Sequence, residues 1–69
     1  MENGIFLIEM GRKIREARNR KKIPLTVMSK LSKIDLSNIS LLERGLRNCH
    51  ILSLKSIAEV LEMDVKDFF

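Results

Sequence analysis

Ser37, Ser40, Leu41 and Arg44 recur at i, i+3, i+4 and i+7, so a helix over residues 35–44 would carry all four on one face. The chemistry such a face offers is recognition rather than reaction. Its side chains are short and mostly uncharged, which allows close approach to base edges in a duplex groove. A leucine there can meet a thymine methyl where a charge could not. By helix anatomy alone, an ordinary weakly polar surface fits nearly as well. Residues suited to catalysis are scarce: a single histidine, His50, adjoins a single cysteine, Cys49, and no paired carboxylates suggest a reactive pocket. Cys49 has no partner for a disulfide, and a metal site needs more ligands than His50 supplies. No enzymatic activity, cofactor or metal is expected, and a reducing, cytoplasmic setting follows.

Charge is distributed unevenly. The formal net charge is +4, yet residues 10–55 hold twelve Lys/Arg against Glu16, Asp35 and Glu43, a local balance of +9. Residues 56–69 set Lys66 against four acids, a balance of −3. A basic front and an acidic tail suit a polyanionic partner on one side, with a solvated basic surface as the alternative.

The elements that must position these residues are short helices. At 69 residues the chain can build one compact domain, residues 1–69, with about 60% of its unfolded surface buried. Apolar residues are 45% of it, but with no Trp or Tyr and three Phe the core must be aliphatic. No apolar run approaches the roughly 20 residues of a membrane helix, so no membrane partner is expected. Leu7, Met10, Ile14 and Ala17 form one stripe and predict a first helix over about Leu7–Lys21. Pro24 interrupts, and Leu25, Met28 and Leu31 predict a second over Leu25–Ser32. Asp35 is a suitable N-cap for a third, which turns Ile39 and Leu42 inward and stops at Gly45. Leu54, Ile57, Ala58 and Leu61 define a fourth, and Asp64 with Asp67 resembles a capping box that opens a last turn bearing Val65, Phe68 and Phe69. The expectation is an all-α, compact bundle of five short helices in which helices two and three form a helix-turn-helix.

Gly11-Arg-Lys-Ile-Arg-Glu-Ala-Arg18 followed by Ile39-Ser-Leu-Leu-Glu-Arg-Gly45 resembles the Xre-type helix-turn-helix family, which includes phage Cro and repressor proteins. The resemblance covers residues 11–69 and implies a lambda-repressor-like fold. The connector Leu46-Arg-Asn-Cys-His-Ile-Leu-Ser-Leu54 looks most like restriction-modification controller proteins and prophage repressors.

Carried over residue by residue, the resemblance makes Arg18 and Glu43 a buried structural ion pair that ties the first helix to the third. Leu36, Ser37, Asn38 and Leu41 match positions that touch bases, and Arg47 matches an arginine that reaches DNA from the loop after the third helix. Thr26, Arg44, Asn48 and Ser53 are placed to hold phosphates at or near helix N-termini, and Lys33 can reach a phosphate beside the turn. Arg12, Arg15, Arg20, Lys21 and Lys22 read as a solvated cluster. Pro24 departs from the pattern, standing where the family has a capping Ser or Thr. Lys22, Lys33 and Glu62 stand where it has helix-ending glycines, at a cost of roughly 1 kcal/mol each if the backbone is unchanged. Cys49 and His50 replace a proline and a capping serine and read as loop fillers.

The function implied is a sequence-specific transcriptional regulator that binds a palindromic or pseudopalindromic double-stranded DNA operator as a homodimer, since one recognition helix reads too few base pairs. RNA polymerase is a candidate further contact. The dimer surface is expected on helices four and five, at Val65, Phe68 and Phe69. An antitoxin or co-regulator acting mainly through protein contacts is the alternative.

Overall fold

The computed structural model describes the backbone of residues 2–69 and the side chains of residues 4–69. Four α-helices follow one another: α1 (Glu2–Arg20), α2 (Leu25–Ser32), α3 (Leu36–Glu43) and α4 (Ile51–Leu61). A 3-10 turn, Val65–Phe68, ends the chain, and no strand is present among the described residues. The expected fifth helix is that turn. Its amides bond three residues back, Asp67 to Asp64 and Phe69 to Lys66, which closes the tighter 3-10 ring. The capping box that opens it is formed: the Asp64 carboxylate accepts from the Lys66 amide, and that of Asp67 accepts from the Asp64 amide.

The core is aliphatic apart from one ring. Met10, Ile14 and Ala17 of α1 meet Met28 of α2, Ile39 and Leu42 of α3, and Leu54, Ile57, Ala58 and Leu61 of α4, with Phe68 closing the end. This settles the two terminal phenylalanines differently from expectation. Phe68 is 1% exposed, so it belongs to the core and offers nothing to a dimer surface. Phe69 is 55% exposed and stacks on Phe6 with ring centroids 5.6 Å apart. Val65 is half-buried against the core.

α1 begins at Glu2, five residues before its apolar stripe. The added turns expose Ile5 and Phe6, and Ile8 beside them is exposed as well, so no inward periodicity marked the three. They nevertheless have surfaces to lie on, since Phe6 meets Phe69 and Ile8 packs against Gly45.

Every interhelical link depends on a left-handed residue, at φ 58° for Lys22, 62° for Lys33, 75° for Gly45 and 57° for Glu62. At Lys22, Gly45 and Glu62 the next amide reaches back five residues: Ile23 to Arg18, Leu46 to Leu41, and Met63 to Ala58. These are Schellman closures, which satisfy otherwise orphaned carbonyls and reverse the chain. Only Gly45 meets the requirement without a Cβ penalty. Gly11 is constrained for another reason: a Cβ there would lie 2.6 Å from the Glu43 carbonyl oxygen, so α1 crosses the end of α3 backbone to backbone.

The caps differ from the sequence reading at two places. Asp35 precedes α3 but makes no side-chain cap hydrogen bond, so the first amides of α3 are left open. His50 is more than a loop filler, because its Nδ1 accepts from the Leu52 amide at 3.4 Å and caps α4. Pro24 precedes α2 without a side-chain cap.

Candidate nucleic-acid interface

α3 is held from behind and bare in front. Behind, the Arg18 guanidinium donates from Nε and Nη2 to the two Glu43 carboxylate oxygens at 2.7 and 3.0 Å, and from Nη1 to the Ile23 carbonyl at 2.8 Å. The side chains are only 12% and 4% exposed, so the pair joins α1, the α1–α2 link and the end of α3 in a region shielded from water. Such two-pronged geometry suits a guanidinium and not an ammonium. In front, Ser37 and Arg44 are exposed and Leu41 and Ser40 half-buried, on the side of α3 away from Ile39 and Leu42. Leu36 is exposed at the first turn.

The turn before α3 is short and tied down. Lys33, Ile34 and Asp35 span it, and the Ser29 hydroxyl donates to the Ile34 carbonyl at 2.5 Å. Lys33 and Thr26 are both exposed, at the end and in the first turn of α2.

After α3 the reversal at Gly45 turns the connector back along the helix. Arg47 Nη1 thereby reaches Asn38 Oδ1 at 2.6 Å. The structure thus joins two residues that the sequence offered as separate contacts. A cleft of about 110 Å³ opens beside them, lined by Ile34, Asn38, Leu42, Arg47, Asn48, Cys49, His50 and Ser53. Four sequence-selected residues therefore converge where the end of the connector meets α4: Asn38, Arg47, Asn48 and Ser53. Asn48 is engaged locally, its Oδ1 accepting from the Cys49 amide at 2.7 Å. Burial pushes the Cys49 thiol up, which disfavours the reactive thiolate.

Charge around the site is less free than composition suggests. Arg12 is forked between Glu9 at 2.7 Å and Glu16 at 2.9 Å, and Lys21 pairs with Glu62 at 2.6 Å, all on the surface. The Arg12 guanidinium holds the Glu9 carboxyl below its ordinary range, and Lys21 does the same to Glu62. Arg44 shares a groove on α1 with Arg12 and Arg15. Phe6, stacked on Phe69, is a surface feature that sequence reasoning missed. Only the spacing Phe6–Met10 within one helix could have flagged it, and Phe6 fell outside the predicted helix. Among the described residues no group of His, Cys, Asp and Glu could hold a metal, and no helix is long and apolar enough to cross a membrane.

Solved structures with a similar fold include two transcription-related proteins. The restriction-modification controller protein C.AhdI from Aeromonas hydrophila superposes with a TM-score of 0.88 at 28% identity, over 91% of this chain and 96% of that one. An HTH_3 family transcriptional regulator from Vibrio cholerae superposes with a TM-score of 0.89 at 22% identity, over 97% of this chain and 38% of that one, a likeness of fold. No family model matches the chain, and no curated protein does. The helix order, the Arg18–Glu43 tie and these likenesses agree with the resemblance to Xre-type helix-turn-helix proteins carried by residues 11–45.

Proposed function

We propose that residues 1–69 act as one DNA-binding domain of a transcriptional regulator, with α3 entering the major groove of a specific operator. The observation that carries this reading is the two-sidedness of α3. Arg18 and Gly11 fix its inner side against α1, while its outer side presents an exposed Ser37 and a half-buried Leu41 and is flanked by Arg44 and Arg47. Short side chains in the middle allow the helix axis to approach the bases, and Arg44 at the edge meets the phosphates. Asn48 and Ser53, at the connector and first turn of α4, and Thr26 and Lys33 of α2 are assigned to the backbone, as is Arg44. C.AhdI is a restriction-modification controller protein, and a controller or repressor role for this chain fits its connector.

The same reading makes the protein a homodimer on a palindromic or pseudopalindromic site. Phe69, Phe6 and Val65 are assigned to its contact surface, the first two because they leave a stacked, exposed pair at the pole of α1 and the chain end. A cytoplasmic regulator with no enzymatic activity, able to touch RNA polymerase from its operator, completes the proposal.

Gel retardation and footprinting on the DNA flanking the protein's own gene test it. The expected result is a specific complex that protects two half-sites roughly 34 Å apart and weakens by roughly 10³-fold between about 50 and 200 mM salt. Absence of any retarded complex on that DNA would overturn the reading and favour an antitoxin or co-regulator acting through protein contacts.

A further inference from the structure

We infer that Arg47 is a positioning residue that makes Asn38 a reader of guanine rather than adenine, an inference that rests on the DNA-binding reading above. An asparagine carries both an acceptor and a donor pair, and with both available it matches adenine, accepting from N6 and donating to N7. Here the acceptor is engaged. Arg47 Nη1 lies 2.6 Å from Asn38 Oδ1, and because a guanidinium has donors only, the oxygen of the amide must be the atom that faces it. The Asn38 amino group is then left as the part of the amide that can address a base.

The neighbouring guanidinium strengthens this selection. An adenine set against the pair would bring its N6 amino group toward the N–H groups of Arg47, donor against donor. A guanine presents O6 and N7, two acceptors, so the Asn38 amino group can donate to it with no donor set against Arg47. The fold makes the arrangement reproducible. Asn38 is half-buried on the helix flank, and the left-handed Gly45 with its Leu46-to-Leu41 hydrogen bond returns the chain so that Arg47 lies nine residues on but beside it.

Selection of binding sites from a randomised duplex pool, run with the full chain and its variants, tests the inference. Wild type is expected to enrich guanine at one position of each half-site, and Asn38→Ala to lose the preference at that position. Arg47→Ala frees Oδ1 and is expected to shift the same position toward adenine, changing the adenine-to-guanine ratio by about 10-fold or more. Arg47→Lys, which still donates to Oδ1, is expected to keep guanine. The inference is overturned if wild type selects adenine at the Asn38-dependent position, if Arg47→Ala gains no adenine there, or if the two alanine variants alter different positions. A wild-type chain that enriches no sequence refutes the DNA-binding reading itself and the inference with it, a distinct outcome. Circular dichroism melts of each variant confirm that a changed preference is not a folding defect.

Discussion

Arg18 and Arg47 both donate to a side chain of α3, one on its inner side and one on its outer flank. Arg18 makes three hydrogen bonds within the protein and is 12% exposed, with a partner carboxylate that is 4% exposed. Arg47 makes one, to an uncharged amide, and is exposed. The difference lies in desolvation. A charge already removed from water and fully partnered has no capacity left for a ligand, whereas an exposed guanidinium with one bond keeps most of its donors for something outside. Counting both as basic residues near α3 hides that, on the proposed reading, they act on opposite quantities, stability and binding.

Breaking the inner arginine has the largest expected effect. Arg18→Ala leaves Glu43 buried without its counter-charge and is expected to cost about 3–5 kcal/mol, read by urea or thermal unfolding. A chain of this size commands only about 3–10 kcal/mol in all, so the variant should sit close to unfolded. Pairing Arg18→Met with Glu43→Leu removes both charges and is expected to recover most of the loss. A single variant that unfolds within about 0.5 kcal/mol of wild type would show that the pair is not what fixes α3.

The outer arginine should behave in the opposite way. Arg47→Ala is expected to leave the unfolding midpoint within the range of an ordinary surface change, about 0.5 kcal/mol, while weakening the operator complex about 10-fold or more. Titration of labelled operator beside a thermal melt reads both quantities from one preparation. If Arg47→Ala destabilised the fold as much as Arg18→Ala does, the contrast between the two would collapse.

Much of this contrast was legible in the residues, though not all by the same route. The stripes of α1 and α4 follow from periodicity, because buried positions must recur with the helical repeat. Arg18 and Glu43 lie twenty-five residues apart and were joined only through the family motif; nothing local pairs them. The Asn38–Arg47 link escaped sequence reading because a chain reversal at Gly45 creates it, and no period spans a reversal. Phe68 and Phe69 are neighbours of equal hydrophobicity, so which one turns inward depends on the exit angle of a single 3-10 turn. Asp35 has the composition of a cap without its hydrogen bond, while His50 performs a capping role that its residue type does not advertise.

The smallest effect tests whether helix ends can be separated from the reading side at all. Lys22 is exposed at φ 58°, where a Cβ is strained by about 1–2 kcal/mol, and its side chain makes no hydrogen bond or ion pair among the described residues. Lys22→Gly removes that strain but enlarges the freedom of the unfolded chain, which offsets about 0.4–1 kcal/mol. The net expectation is a gain of about 0.5 kcal/mol, a rise of a few degrees in Tm by calorimetry, with operator affinity unchanged. Lys33→Gly should give a similar gain in Tm, but Lys33 stands at the turn into α3, where its charge can face a phosphate, so operator affinity should fall. Equal affinities for the two glycine variants would remove Lys33 from the interface and leave the outer side of α3 dependent on Arg44 and Arg47 for its charge.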